Sequence, residues 1–256
     1  MDALIQFILD GTSLSFSDFA ILCSVSLIAS LFTAAIGIGG GTLILATMAV
    51  ILPPTVLIPI HAVVQVGSNG GRVALMLKEV VKPVILPFLI GTTVGAVIGA
   101  QVVISLPTAI LQAVLSVFIL YATWAPKFNA SKPSGKTFFG VGVLATFATM
   151  FVGATGPLVA PFVAAYCMQR QNVVATHAML MVIQHSFKMI AFGTMGFVFG
   201  PYIPLLVGLV SFGFIGTLIG KRILNRLPEH LFKVGLKIIL TLLALRLMYS
   251  AMTSLA

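Results

Sequence analysis

Two rows of polar residues interrupt an otherwise apolar chain. His61, Gln65, Ser68, Asn69 and Arg72 fall at i, i+4, i+7, i+8 and i+11, one face of a helix. His177, Gln184, His185 and Lys188 repeat the row, with Met181 where Gln65 would stand. The acidic residues lie elsewhere: Asp2, Asp10 and Asp18 precede or open the first apolar stretch, and Glu79 and Glu229 sit in links. A Lys or Arg at membrane depth costs about 2.5–3.5 kcal/mol on insertion scales, so its retention there points to binding. The plainer reading of Arg72 is a snorkelling cation, since a basic link follows six residues later. An interior holding cations, amides, hydroxyls and imidazoles without carboxylates suits an anion; carriers of cations or protons usually keep an acidic residue there.

Two glycine tracts precede these rows, Gly37-Ile38-Gly39-Gly40-Gly41-Thr42 and Gly153-Ala154-Thr155-Gly156-Pro157. Backbone groups left unpaired in hydrocarbon cost several kcal/mol each, so a break in a spanning helix survives where it lines a cavity. A short helix starting at Thr42 or Leu158 would aim its uncovered amides and positive dipole end at a bound anion. The candidate binding residues are therefore Gly37, Gly39, Gly40, Gly41, Thr42, His61, Gln65, Asn69 and Arg72 from one half of the chain, with Thr155, Gly156, His177, Gln184, His185 and Lys188 from the other. If transport is proton-coupled, His61, His177 and His185 are the side chains that titrate near neutral pH.

The elements that position these residues must be membrane helices. The chain has 256 residues, 59% hydrophobic and 7% charged, with mean hydropathy +1.17. Soluble domains carry about 25% charged residues, so a soluble enzyme or a nucleic-acid binder is excluded. The net charge of +9 collects in short links between apolar segments, where positive-inside sorting accounts for it. Apolar segments run near 17–36, 42–52, 56–77, 83–105, 108–125, 137–153, 157–168, 173–196, 202–222 and 230–252. The second and seventh are too short to span and read as half-helices. No basic residue precedes the first segment, which argues against a cleavable signal peptide. Cys23 and Cys167 lie in apolar runs and read as packing residues.

The chain repeats itself. At a shift of 116 residues Gly37 falls on Gly153, Gly40 on Gly156, His61 on His177 and Arg72 on Lys188; after a short insertion Gly95 and Gly99 fall on Gly216 and Gly220. The basic link Lys78–Lys82 follows the third segment of the first half, while the matching link near Gly196–Pro204 is neutral. Gln101–Pro107 is neutral, and its counterpart holds Lys221, Arg222, Arg226 and Lys233. One repeat position is thus cytoplasmic once and external once. The expected fold is an all-α membrane protein with an inverted-topology repeat of five plus five segments, each half holding one interrupted half-helix. Residues 1–126 form the first repeat with its N-terminus outside, 127–136 a cytoplasmic linker, and 137–256 the inverted second repeat with its C-terminus outside.

With these glycine breaks at half-chain spacing, residues 17–252 resemble the TauE/SafE sulfite-exporter family of membrane transporters. Half one keeps the G-x-G-G-G tract as Gly37–Gly41 and has Leu45 where the family has proline; half two keeps Pro161 and departs in the tract. The resemblance implies a multi-pass permease of a bacterial-type cell membrane that moves sulfite, an organosulfonate or a related anion. No cofactor is called for. The partners are the lipid bilayer and a small anion, with no nucleic acid. Alternating access around a mid-membrane site is the expected mechanism; a channel or passive facilitator for the same anions is the alternative. An enzyme is not expected: His61 and His177 lack Cys or carboxylate partners, and His177 and His185 are about 12 Å apart along a helix.

Overall fold

The computed structural model describes residues 10–36, 39–103, 106–124, 133–223 and 229–255. Ten α-helices and no strands lie among the described residues: α1 (Phe16–Ile36), α2 (Gly40–Ile51), α3 (Pro54–Leu75), α4 (Ile85–Val103), α5 (Thr108–Trp124), α6 (Gly135–Val152), α7 (Gly156–Tyr166), α8 (Arg170–Thr194), α9 (Ile203–Ile223) and α10 (Glu229–Leu255). Each coincides with one apolar segment of the sequence. Several begin two or three residues earlier, because helix starts are set by polar caps and proline rather than by hydropathy. Ser134 caps α6 in a reciprocal box with Thr137, Pro54 occupies the first turn of α3, and α8 opens with Arg170-Gln171-Asn172.

Six of the helices, α1, α4, α6, α8, α9 and α10, are long and apolar enough to cross a membrane. α3 has the length, but its polar row lowers its hydropathy; α5, at 17 residues, is slightly short. Large apolar side chains cover the outside, and a set of polar ones is buried among an apolar core. Leu86, Leu144, Val207 and Leu242 are exposed on the outside, while His61, Thr92, Ser116, Thr146, Gln184 and Lys188 have no exposed surface. An apolar rim around an interior that keeps its polar groups hydrogen-bonded is what lipid on the outside and helix packing on the inside demand.

Glycines let backbones touch and so fix the relative directions. Gly91 and Gly95 of α4 lie against the carbonyls of Phe139 and Val143, so α4 and α6 run side by side in one direction. Gly216 and Gly220 of α9 meet the carbonyls of Leu27 and Leu31, and Gly67 and Gly71 of α3 meet Val210 and Phe214; α1, α3 and α9 are therefore mutually parallel. α8 opposes α3. Just past α3, Val81 N donates to Thr176 Oγ1 (2.9 Å) and Glu79 O accepts from Asn172 Nδ2 (2.8 Å), while His61 near the start of α3 meets His185 deep in α8. Exchanging the first five helices for the last five turns the α4–α6 pair into the α9–α1 pair and maps the α3–α8 and α5–α10 pairs onto themselves.

The short helices fold back. α2 starts with Gly40 against Ala29 and Thr33 of α1 and ends two residues before α3. Its 12 residues reach about 18 Å, roughly half the thickness of the hydrocarbon core. α7, of 11 residues, starts beside His177 and ends shortly before α8. Gly37, most of the 127–136 linker, Arg226 and the first nine residues lie outside the described residues, and the side chain of Lys233 is likewise not described.

Candidate functional site

The two chain breaks meet in the interior. Gly39 (φ 111°) and Gly153 (φ 79°) hold left-handed backbone that only glycine adopts without strain, which lets the chain reverse before each half-helix. Neither α2 nor α7 has a side-chain cap; in the first turn of α7, Pro157 carries no N–H and Leu158 N donates to Thr155 O (2.9 Å). A cavity of about 40 Å³ lies between the two starts, walled by Gly39, Gly41 and Thr42 on one side and Ala154, Gly156 and Pro157 on the other. Gln65 and Asn69 from α3, His177, Met181 and His185 from α8, and Thr33 from α1 complete it. Such a volume holds about three water molecules, the size of a compact oxyanion. No Asp or Glu lines it, and two positive helix ends converge on it.

Each half closes its own break with a histidine. His61 Nε2 donates to Gly41 O (3.0 Å) and His177 Nε2 to Gly156 O (3.1 Å). The α3 row is a connected chain: Arg72 Nη1 donates to Asn69 Oδ1 (2.8 Å), Asn69 Nδ2 donates to Gln65 Oε1 (2.9 Å), and the Gln65 amide lies 3.2 Å from His61 Nε2. On α8 the row turns to backbone instead. Gln184 Nε2 donates to Ala145 O (3.0 Å) and to Thr155 Oγ1, Thr155 Oγ1 donates to Ala145 O (3.1 Å), and Lys188 Nζ donates to Gly153 O (2.6 Å). Gly153 O also accepts from Thr149 Oγ1 (3.0 Å). The rings of His61 and His185 meet edge-on at 5.6 Å, and the Nδ1 atom of each is buried without a partner. Among the described residues no group of three His, Cys, Asp or Glu is arranged to hold a metal ion.

The residues singled out from the sequence thus fall into three groups. Gly39, Gly41, Thr42, Gln65, Asn69, Gly156, His177 and His185 line the cavity. Thr155, His61, Gln184 and Lys188 stand behind its wall and hold the breaks. Gly40 and Arg72 face a second, smaller cavity that shares Thr33, Gly41 and Gln65 with the first. Arg72 is only 3% exposed, so it does not snorkel to the lipid surface. Gly37 lies outside the described residues. Sequence reasoning missed Thr33, although Ser26, Ser30 and Thr33 at i, i+4 and i+7 form a third polar row. Met181 was read only as a gap in a row, and nothing in its type marks it as a wall.

A family model described as sulfite exporter TauE/SafE matches residues 22–247. No curated protein and no solved structure matches the chain.

Proposed function

On the premise that this chain belongs to the sulfite exporter TauE/SafE family of membrane transporters, we propose that it carries a small sulfur oxyanion, sulfite or an organosulfonate, by alternating access around the cavity between α2 and α7. The observation that carries this reading is the convergence of two uncapped half-helix starts on one interior cavity lined by donors and no carboxylate. A trigonal group of three oxygens accepts from the first-turn amides of α2, from Gly156 N, from Thr42 Oγ1 and from the Gln65 amide and the His185 ring together.

The two halves are inverted repeats, residues 1–126 and 137–256, joined by a cytoplasmic linker over 127–136. The opposed directions of α3 and α8 and the exchange symmetry of the helix pairs support this, because an axis in the membrane plane makes equivalent helices antiparallel. The parallel course of α3 and α9 agrees with the charge pattern, which places their C-terminal ends in the cytoplasm. Both termini then lie outside a bacterial-type cell membrane, and rocking of one half on the other opens the cavity to each side in turn.

The test is a thermal-shift series on the purified protein with sulfite, thiosulfate, taurine, sulfoacetate and matched carboxylates. A ligand at 100 times its Kd raises apparent stability by about 2.7 kcal/mol. Selective stabilisation by the sulfur oxyanions is expected. Stabilisation by cations alone would overturn the reading.

A further inference from the structure

The second cavity, about 20 Å³, lies between α1, α2 and α3 and is absorbed by nothing above. Arg72 lines it with Nε buried and without a partner, while its Nη1 is engaged by Asn69. Long helical side chains lean back toward the helix start, which brings the guanidinium toward Gln65. Facing it are Ser26, whose hydroxyl donates to Leu209 O (2.7 Å), and Ser30 and Ser68, whose hydroxyls pair at 3.2 Å and so leave one hydroxyl hydrogen of the two uncommitted. Gly41 and Gln65 belong to both cavities, so the two are neighbours along one wall.

We propose that Arg72, Ser30 and Ser68 form a second oxyanion subsite, a station beside the first cavity that the anion occupies on its way through. A buried guanidinium with a free N–H and no carboxylate beside it lacks a counter-charge, and a compact oxyanion supplies one with hydrogen bonds attached. This cavity is smaller than the first, so it takes an inorganic oxyanion only as its walls give and leaves no room for an organic tail. The repeat mate of Arg72 has no such role. Lys188 is bonded to Gly153 O and lines neither cavity, so the pathway is asymmetric although the helices are arranged as a pair of halves. This inference rests on the anion-transport reading and narrows its substrate to sulfite-like ions.

The experiment measures equilibrium binding of radiolabelled sulfite to the purified full chain and its maximal transport rate in proteoliposomes. Arg72→Gln and, separately, the Ser30→Ala/Ser68→Ala pair are expected to keep the affinity of the first cavity while the rate falls about tenfold or more, the weight of one charge-assisted hydrogen bond. Arg72→Lys is expected to recover part of the rate, which the loss of a purely structural contact to Asn69 does not predict. If Arg72→Gln fails to fold, the serine pair carries the same test. Weakened affinity at unchanged rate, or no effect on either quantity in these variants, overturns the subsite. A wild-type protein that binds no sulfite overturns the anion reading itself, and the subsite with it.

Discussion

Lys188 and His61 were marked by their types and spacing as groups that meet a ligand, and both spend their hydrogen bonds on the chain breaks instead. Gly153 O keeps a second donor in Thr149, so Lys188→Met loses one bond without orphaning that carbonyl. Removing a buried charge at constant volume is often neutral or stabilising. The melting temperature of this variant should hold or rise, while its sulfite affinity drops about tenfold through loss of a positive charge beside the cavity. His61→Ala should act oppositely, lowering the melting temperature by releasing Gly41 O, a cost of about 1–3 kcal/mol. Thermal melts and sulfite binding on the same preparations separate the two effects. The polar rows themselves were readable because i, i+4 spacing needs only the helix. Which member faces the cavity and which reaches a neighbouring carbonyl depends on where another helix turns, and no spacing within one row records that.

The elements were readable almost to their ends. A span in lipid must be apolar along its length, and a break must be rich in glycine, so hydropathy and glycine tracts divide this chain into the same ten segments that the structure folds as helices. A start shifted where a cap outranks hydropathy, as at Ser134, and α8 begins in the polar run Arg170-Gln171-Asn172. Glycines in α4 and α9 are packing positions, since Gly91, Gly95, Gly216 and Gly220 lie against carbonyls of the adjacent helix. Gly95→Ala or Gly216→Ala drives a methyl into a carbonyl of the adjacent helix and should cost about 1–3 kcal/mol. Gly140→Ala on α6, where an added Cβ meets nothing within 4 Å, should be neutral or gain up to about 1 kcal/mol from helix propensity. Equal effects at the tight and open positions, measured by thermal unfolding in one detergent, would contradict the close-packed pairing of α4 with α6 and α9 with α1.

At the scale of the whole molecule, the proposed inverted repeat makes a claim about sides. With Cys23 and Cys167 replaced by Ala, a cysteine at the exposed Val198 should react with an impermeant maleimide in intact cells, and one at Lys78 should react only after permeabilisation. Labelling of both from one side would contradict the inversion. Charge sorting on the loops carries the expected orientation, and the meeting of the two breaks was expected from the paired glycine tracts and the polar rows behind them. The central claim is that an anion sits between the starts of α2 and α7. Selenite, a heavier trioxo analogue of sulfite, tests this directly by anomalous diffraction from soaked crystals. The account predicts a selenium peak between Gly41 and Gly156, within reach of Thr42 and His177. An empty cavity, with selenium only at the lipid-facing rim or at the basic links, would contradict it.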